Sequence, residues 1–113
     1  MSKDWKAIAR DVNQRGGALY KATPETLKGF GQITAATMTD GALDKKTKEL
    51  MAAAISVVIR CEGCIAYHTQ AAIKAGATRD EYIEVLNVAI EMGGGPSVVY
   101  GGQALEAWDQ LAA

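Results

Sequence analysis

Two cysteines and a histidine stand where chemistry is easily assembled. Cys61-Glu-Gly-Cys64 is followed four residues later by His68, the only histidine of the chain. On a helix, residues three and four apart share a face, and at roughly 100 degrees per residue Cys61 and His68 nearly superimpose with Cys64 between them. One surface would then carry two thiols and an imidazole. A dithiol at this spacing can close into a disulfide across neighbouring turns. If Cys61 lies in the first turn, unpaired amides and the helix dipole favour its thiolate. His68, one turn beyond Cys64, can take that thiol's proton directly or through a water, which is the nucleophile-and-base pairing needed for attack on a peroxide or disulfide. Gly63, between the cysteines, is expected to leave the approach to sulfur open.

Glu49 is the expected orienting acid. It adjoins the apolar run Leu50-Met-Ala-Ala-Ala-Ile55, on a helix that must pack near the cysteines, where a carboxylate needs a partner and the lone histidine is a natural one. Each residue alone has a plainer reading: free cysteines pack as small hydrophobes, lone histidines are more often structural, and helix glutamates mostly face solvent. The joint spacing is what favours chemistry. Cys61, Cys64, His68 and Glu49 could also fill a zinc tetrahedron. Knuckle cysteines usually sit on a turn, however, and the chain has no second cysteine pair or histidine, so no metal is expected. Covalent haem attachment needs His directly after the second Cys, where Ile65 stands, and no other cofactor is called for.

These side chains have to be held by a small framework. The chain has 113 residues, enough for one domain over 1–113 with a core that is adequate and not generous. Hydrophobic residues make up 49% but aromatic ones only 6%, so the core rests on Ala, Val, Ile, Leu and Met, a helix-forming inventory. Twelve basic residues face 13 acidic ones without any block of like charge; nucleic acid and anionic membranes are not expected partners. The polar start argues against a secretory signal, and the longest apolar run, Met51 to Ile59, is too short to span a bilayer. A cytoplasmic location is expected. There a bridge as local as Cys61 to Cys64 is worth more as chemistry than as a staple.

Start and stop signals place helices throughout. The first is expected from Lys3 to Gln14, with Trp5, Ile8 and Val12 on one stripe, ending at Gly16-Gly17. Thr23-Pro24-Glu25 supplies a cap, a first-turn proline and an acid for a helix to about Thr39, weakened by Gly29 and Gly31. Asp44 caps a helix from Lys45 to about Arg60. Another holds Cys64 to Ala75 and closes at Gly76. Thr78-Arg-Asp-Glu81 has capping-box spacing ahead of Tyr82, Val85, Leu86, Ala89 and Met92. Gly93-Gly-Gly-Pro96 breaks that helix, and Ser97 to Leu111 forms the last.

Glu49, Cys61-Glu-Gly-Cys64-Ile-Ala-Tyr-His68 and Ala71-Ala-Ile-Lys-Ala-Gly76-Ala-Thr-Arg-Asp-Glu81 together resemble the alkylhydroperoxidase D-like branch of the carboxymuconolactone decarboxylase family. The likeness is strong over the second half of the chain. It implies an all-α domain of about six helices, assembled as a homotrimer or homohexamer, and a thiol-dependent peroxidase or disulfide oxidoreductase with an antioxidant role. In the roles it implies, Glu49 polarises His68, and His68 acts through a water to deprotonate Cys64. Cys64 then attacks the hydroperoxide, and Cys61 resolves the sulfenic acid to a disulfide. A lipoyl or thioredoxin-like dithiol donor would reduce that bridge. The dipole favours Cys61 as the more acidic thiol, whereas the resemblance assigns the attack to Cys64, which has the nearer base. Where the family's best-known peroxidases carry a further histidine, before the second cysteine, this chain has Gly63. Two rival readings are a carboxymuconolactone-type decarboxylase, which does not need the cysteine pair, and a non-enzymatic helical oligomer binding zinc.

Overall fold

The helix-start signals of the sequence open helices in the computed structural model, which describes residues 2–113. Six helices follow in order: α1 Trp5–Ala22, α2 Pro24–Thr37, α3 Lys45–Val58, α4 Glu62–Lys74, α5 Arg79–Gly93 and α6 Gly95–Leu111. There is no strand among the described residues. Asp44 caps α3 by accepting from the Thr47 N–H at 2.8 Å. Thr78 and Glu81 complete the expected capping box on α5. Gly76, at φ 92°, ends α4 in the left-handed region.

Several boundaries move. The pair Gly16-Gly17 does not stop α1, which runs on to Ala22. Glycine costs a helix roughly 1 kcal/mol per residue against alanine but does not forbid it, and nothing at that point offers the backbone another set of partners. Thr23 ends α1 and begins α2 at once, yet its side chain makes no capping bond. Helix α2 ends at Thr37, α3 at Val58, and α6 opens at Gly95, with Pro96 in its first turn.

Helices α3 to α6 form the body, with α3 packed on α4, α5 and α6. Their shared interior is built from Val57, Ile65, Ala66, Ala72, Tyr82, Ala104 and Ala107, all fully buried. Small alanines allow the helices close approach, and the aromatic volume comes from Tyr82 stacked at 4.8 Å on Trp108. The Tyr82 hydroxyl is satisfied by Thr69 Oγ1 at 2.6 Å and by the Ala104 carbonyl at 3.3 Å, as a buried hydroxyl must be.

The N-terminal segment is clamped to α6. Gln110 accepts from the Trp5 N–H and donates to the Lys3 carbonyl, both at 2.7 Å, while Glu106 accepts from the Trp5 indole at 3.1 Å. The backbone N–H of Lys3 and the Trp5 indole hold the Glu106 carboxyl below its ordinary range. Fully buried Trp5 thereby fixes α1 across α4 and α6. Beyond it the chain leaves the body: α2 packs along α1, meets α3 where Lys48 Nζ donates to the Thr37 carbonyl at 2.9 Å, and has no fully buried residue.

Candidate functional site

Helix α3 carries Glu49 into the body at 3% exposure, beside Leu50 and Ala53. A carboxylate so placed must be paired, and its Oε1 lies 3.1 Å from His68 Nδ1 on α4. A carboxylate only accepts, so Nδ1 is the donor and Nε2 is left as the basic nitrogen. The imidazole is 25% exposed, and the Tyr67 ring meets it edge-on at 5.0 Å. Glu49 thus has the partner expected from its position in an apolar stretch.

The two cysteines are joined in a disulfide. They do not both lie on the helix, as the single-column reading requires. Cys61 is the N-cap residue of α4, extended at φ −104° and ψ 98°, and its sulfur accepts from the Cys64 N–H at 3.2 Å. Only Cys64 and His68 share the helical face, one turn and about 6 Å apart along the axis. The cap position still puts the Cys61 sulfur against the positive end of α4, as the dipole argument expects. Both cysteines are part-buried, so neither is sealed from reactants. Among the described residues no three or more His, Cys, Asp or Glu side chains group so as to hold a metal ion.

The turn that presents Cys61 is built tightly. Arg60 sits at φ 59°, the only non-glycine residue with positive φ among those described. Its N–H bonds the Val57 carbonyl at 3.2 Å and the next N–H, of Cys61, reaches back to Ser56 at 3.0 Å. Gly63 has a packing role that its place between the cysteines does not suggest. A Cβ there would stand 3.1 Å from Val12 Cγ2, so the missing side chain lets α1 pack on the start of α4. A larger residue would press on α1.

Beside Glu49 and His68 lies an open cleft of about 560 Å³. Its floor is α3 and α4, including Tyr67, and its far wall is the outlying hairpin, through Asn13 of α1, Thr34 of α2 and Met38 just after α2. Sequence spacing singled out Glu49, Cys61, Cys64 and His68; the fold pairs Glu49 with His68 and bridges Cys61 to Cys64, with His68 and Cys64 both on α4. It gave no sign of the cleft, whose wall depends on where the hairpin stands, nor of the clamp between Lys3, Trp5, Glu106 and Gln110. The one available signal was Trp5, too large and apolar to be left in a surface segment.

The pattern of the carboxymuconolactone decarboxylase family matches residues 24–109. An uncharacterized protein of Cupriavidus necator is 39% identical over the full length of both chains. A family protein from Legionella pneumophila, solved in its apo form, superposes with a TM-score of 0.93 at 43% identity, covering 96% of this chain and 97% of its own. A second, from Thermotoga maritima, for which a role in an antioxidative response has been suggested, gives a TM-score of 0.71 at 35% identity, covering 76% of this chain and 89% of its own.

Proposed function

Because this chain belongs to the carboxymuconolactone decarboxylase family, we propose that it works as the thiol-dependent peroxidases of that family's alkylhydroperoxidase D-like branch do, reducing hydroperoxides with the Cys61–Cys64 pair. The observation that carries this reading is the buried Glu49 carboxylate holding His68 by Nδ1, with Cys64 one turn away and already bridged to Cys61. The antioxidative role suggested for the Thermotoga maritima relative points the same way.

The cycle starts from the dithiol. Glu49 fixes the imidazole through Nδ1, and Nε2 takes the Cys64 proton, directly or through a water. The Cys64 thiolate attacks one peroxide oxygen and the O–O bond breaks. The departing alkoxide takes up a proton and leaves as an alcohol, and Cys64 becomes a sulfenic acid. The Cys61 thiolate then attacks that sulfur, expelling hydroxide, which leaves as water with a second proton. Two electrons have passed from two sulfurs to the peroxide. A donor dithiol, lipoyl or thioredoxin-like, returns them by exchange through a mixed disulfide. The Cys64 N–H donates to the Cys61 sulfur at 3.2 Å, which keeps Cys61 beside Cys64 for the resolving role. General disulfide reduction would use the same pair by exchange: the Cys64 thiolate attacks a substrate disulfide and expels one thiolate, and the Cys61 thiolate then attacks the Cys64 sulfur of the mixed disulfide and expels the second.

The test is peroxide consumption with a dithiol donor by wild type and Cys64→Ser. The variant should lose turnover while keeping its helical circular dichroism. Retained turnover, or decarboxylation of a carboxylated lactone by a Cys61→Ser/Cys64→Ser double variant, contradicts the reading.

A further inference from the structure

The cleft beside His68 holds chemistry that proton transfer does not use. Ala35 of α2, Met38 just after it and Ala71 of α4 give it apolar lining, while Lys45 of α3 and Lys74 of α4 also line it. The two lysines belong at one end. Helices α3 and α4 are joined by a tight turn and run back along each other, so that Glu49 stands opposite His68. Following that pairing away from the turn brings Lys45, one turn before Glu49, level with the last turn of α4, where Lys74 sits. The cysteines do not line the cleft; Cys64 lies one turn beyond His68 on α4, on the side away from the lysines.

Neither ammonium is spent. Lys3 and Lys46 have carboxylate partners, but neither Lys45 nor Lys74 has one within ion-pairing distance among the described residues. The acids nearest Lys45 in sequence are occupied by backbone: Asp40 accepts from the Lys45 N–H and Asp44 from the Thr47 N–H. The one acid on the cleft wall, Glu49, is held by His68. Because side chains already cap the α3 amides, the anchor consists of two point charges without the nest of N–H groups that a phosphate favours.

We propose that the cleft selects hydroperoxides carrying a carboxylate at the end remote from the O–O bond. Lys45 and Lys74 hold the carboxylate, Ala35, Met38 and Ala71 cover a short apolar chain, and the peroxide passes His68 to reach Cys64. Ten residues separate Cys64 from Lys74, about 15 Å along α4, and lysine side chains lean toward the helix N-terminus, so the bridged span is on the order of 10 Å. The inference rests on the peroxidase reading for its chemistry and adds the substrate class.

Two measurements keep the readings separable. In the first, kcat/KM is compared for ω-hydroperoxydecanoic acid and its methyl ester. Wild type should prefer the acid by roughly tenfold, the worth of one good charge-assisted contact, and Lys45→Gln/Lys74→Gln should bring the ratio near one. Equal rates in wild type, or a preference that survives both substitutions, overturns the proposal. In the second, unreactive octanoate is titrated while the amide resonances of Ala35 and Ala71 are followed. A saturable shift in wild type that the double variant loses supports the cleft even if no hydroperoxide is consumed, in which case the peroxidase reading alone fails. No saturable shift overturns the proposal.

Discussion

Tyr82 shows what a single buried polar group contributes here. Burial pushes its phenol from 10.0 up to about 12, against the opposing pull of its bond with Thr69. The folded state therefore keeps the proton longer than the unfolded chain does. Tyr82 contributes fully below pH 10, and that contribution drains away as the pH rises from about 10 through 12, a loss of about 3 kcal/mol in all. Urea midpoints at pH 8 and pH 11 should fall further apart for wild type than for Tyr82→Phe; equal falls would contradict this. At this scale the sequence was most readable where chemistry imposes spacing. Cys64 and His68 four apart could be put on one face before any coordinates, and an acid beside Leu50 and Ala53 had to find a partner. Cys61 was misplaced by one structural step, because whether a residue caps a helix or begins it depends on the preceding turn. Gly63 was readable only as an absence, since its meaning lies in Val12, 51 positions earlier in the chain.

At the scale of elements, two helix ends can be compared directly. After α4, Gly76 takes the left-handed position, its N–H bonds Ile73 and the N–H of Ala77 bonds Ala72, both at 3.0 Å. After α3 the same pattern is made with Arg60 in place of the glycine. A left-handed non-glycine residue costs roughly 1 kcal/mol, so Arg60→Gly should raise stability by about that much, less the entropy glycine adds to the unfolded chain. A fall in the thermal midpoint would show that the Arg60 side chain carries a contact the backbone argument omits. The element scale explains which boundaries were legible. Asp44, Thr78 and Gly76 are local signals with local consequences, and α3, α4 and α5 follow them within two or three residues. The diglycine of α1 is also a local signal, but a weak one, and helix continuation through Leu19 and Tyr20 outweighs it.

At the scale of the whole molecule, the body and the hairpin differ in kind. The body encloses a continuous core, whereas α2 leaves Phe30 64% and Ile33 62% exposed, and α3 leaves Met51 and Ile55 exposed, with Ile59 just after it. No residue of the 14-residue α2 is fully buried in its own chain, and isolated helices of that length are marginal in water, so cover from other copies is expected. Light scattering at micromolar concentration should give a trimer or hexamer of the 11.9 kDa chain; a monomeric mass would contradict this. No described helix is long and apolar enough to cross a membrane. Everything functional in this account depends on Cys61 and Cys64 delivering two electrons to a peroxide with His68 as the base. That is tested most directly by reducing the protein, adding one equivalent of organic hydroperoxide, counting free thiols and mapping the products by mass. Both thiols of each chain should be lost, with one equivalent of alcohol formed and a peptide bridged between Cys61 and Cys64. Two thiols that survive the hydroperoxide, or bridges formed only between chains, would contradict it.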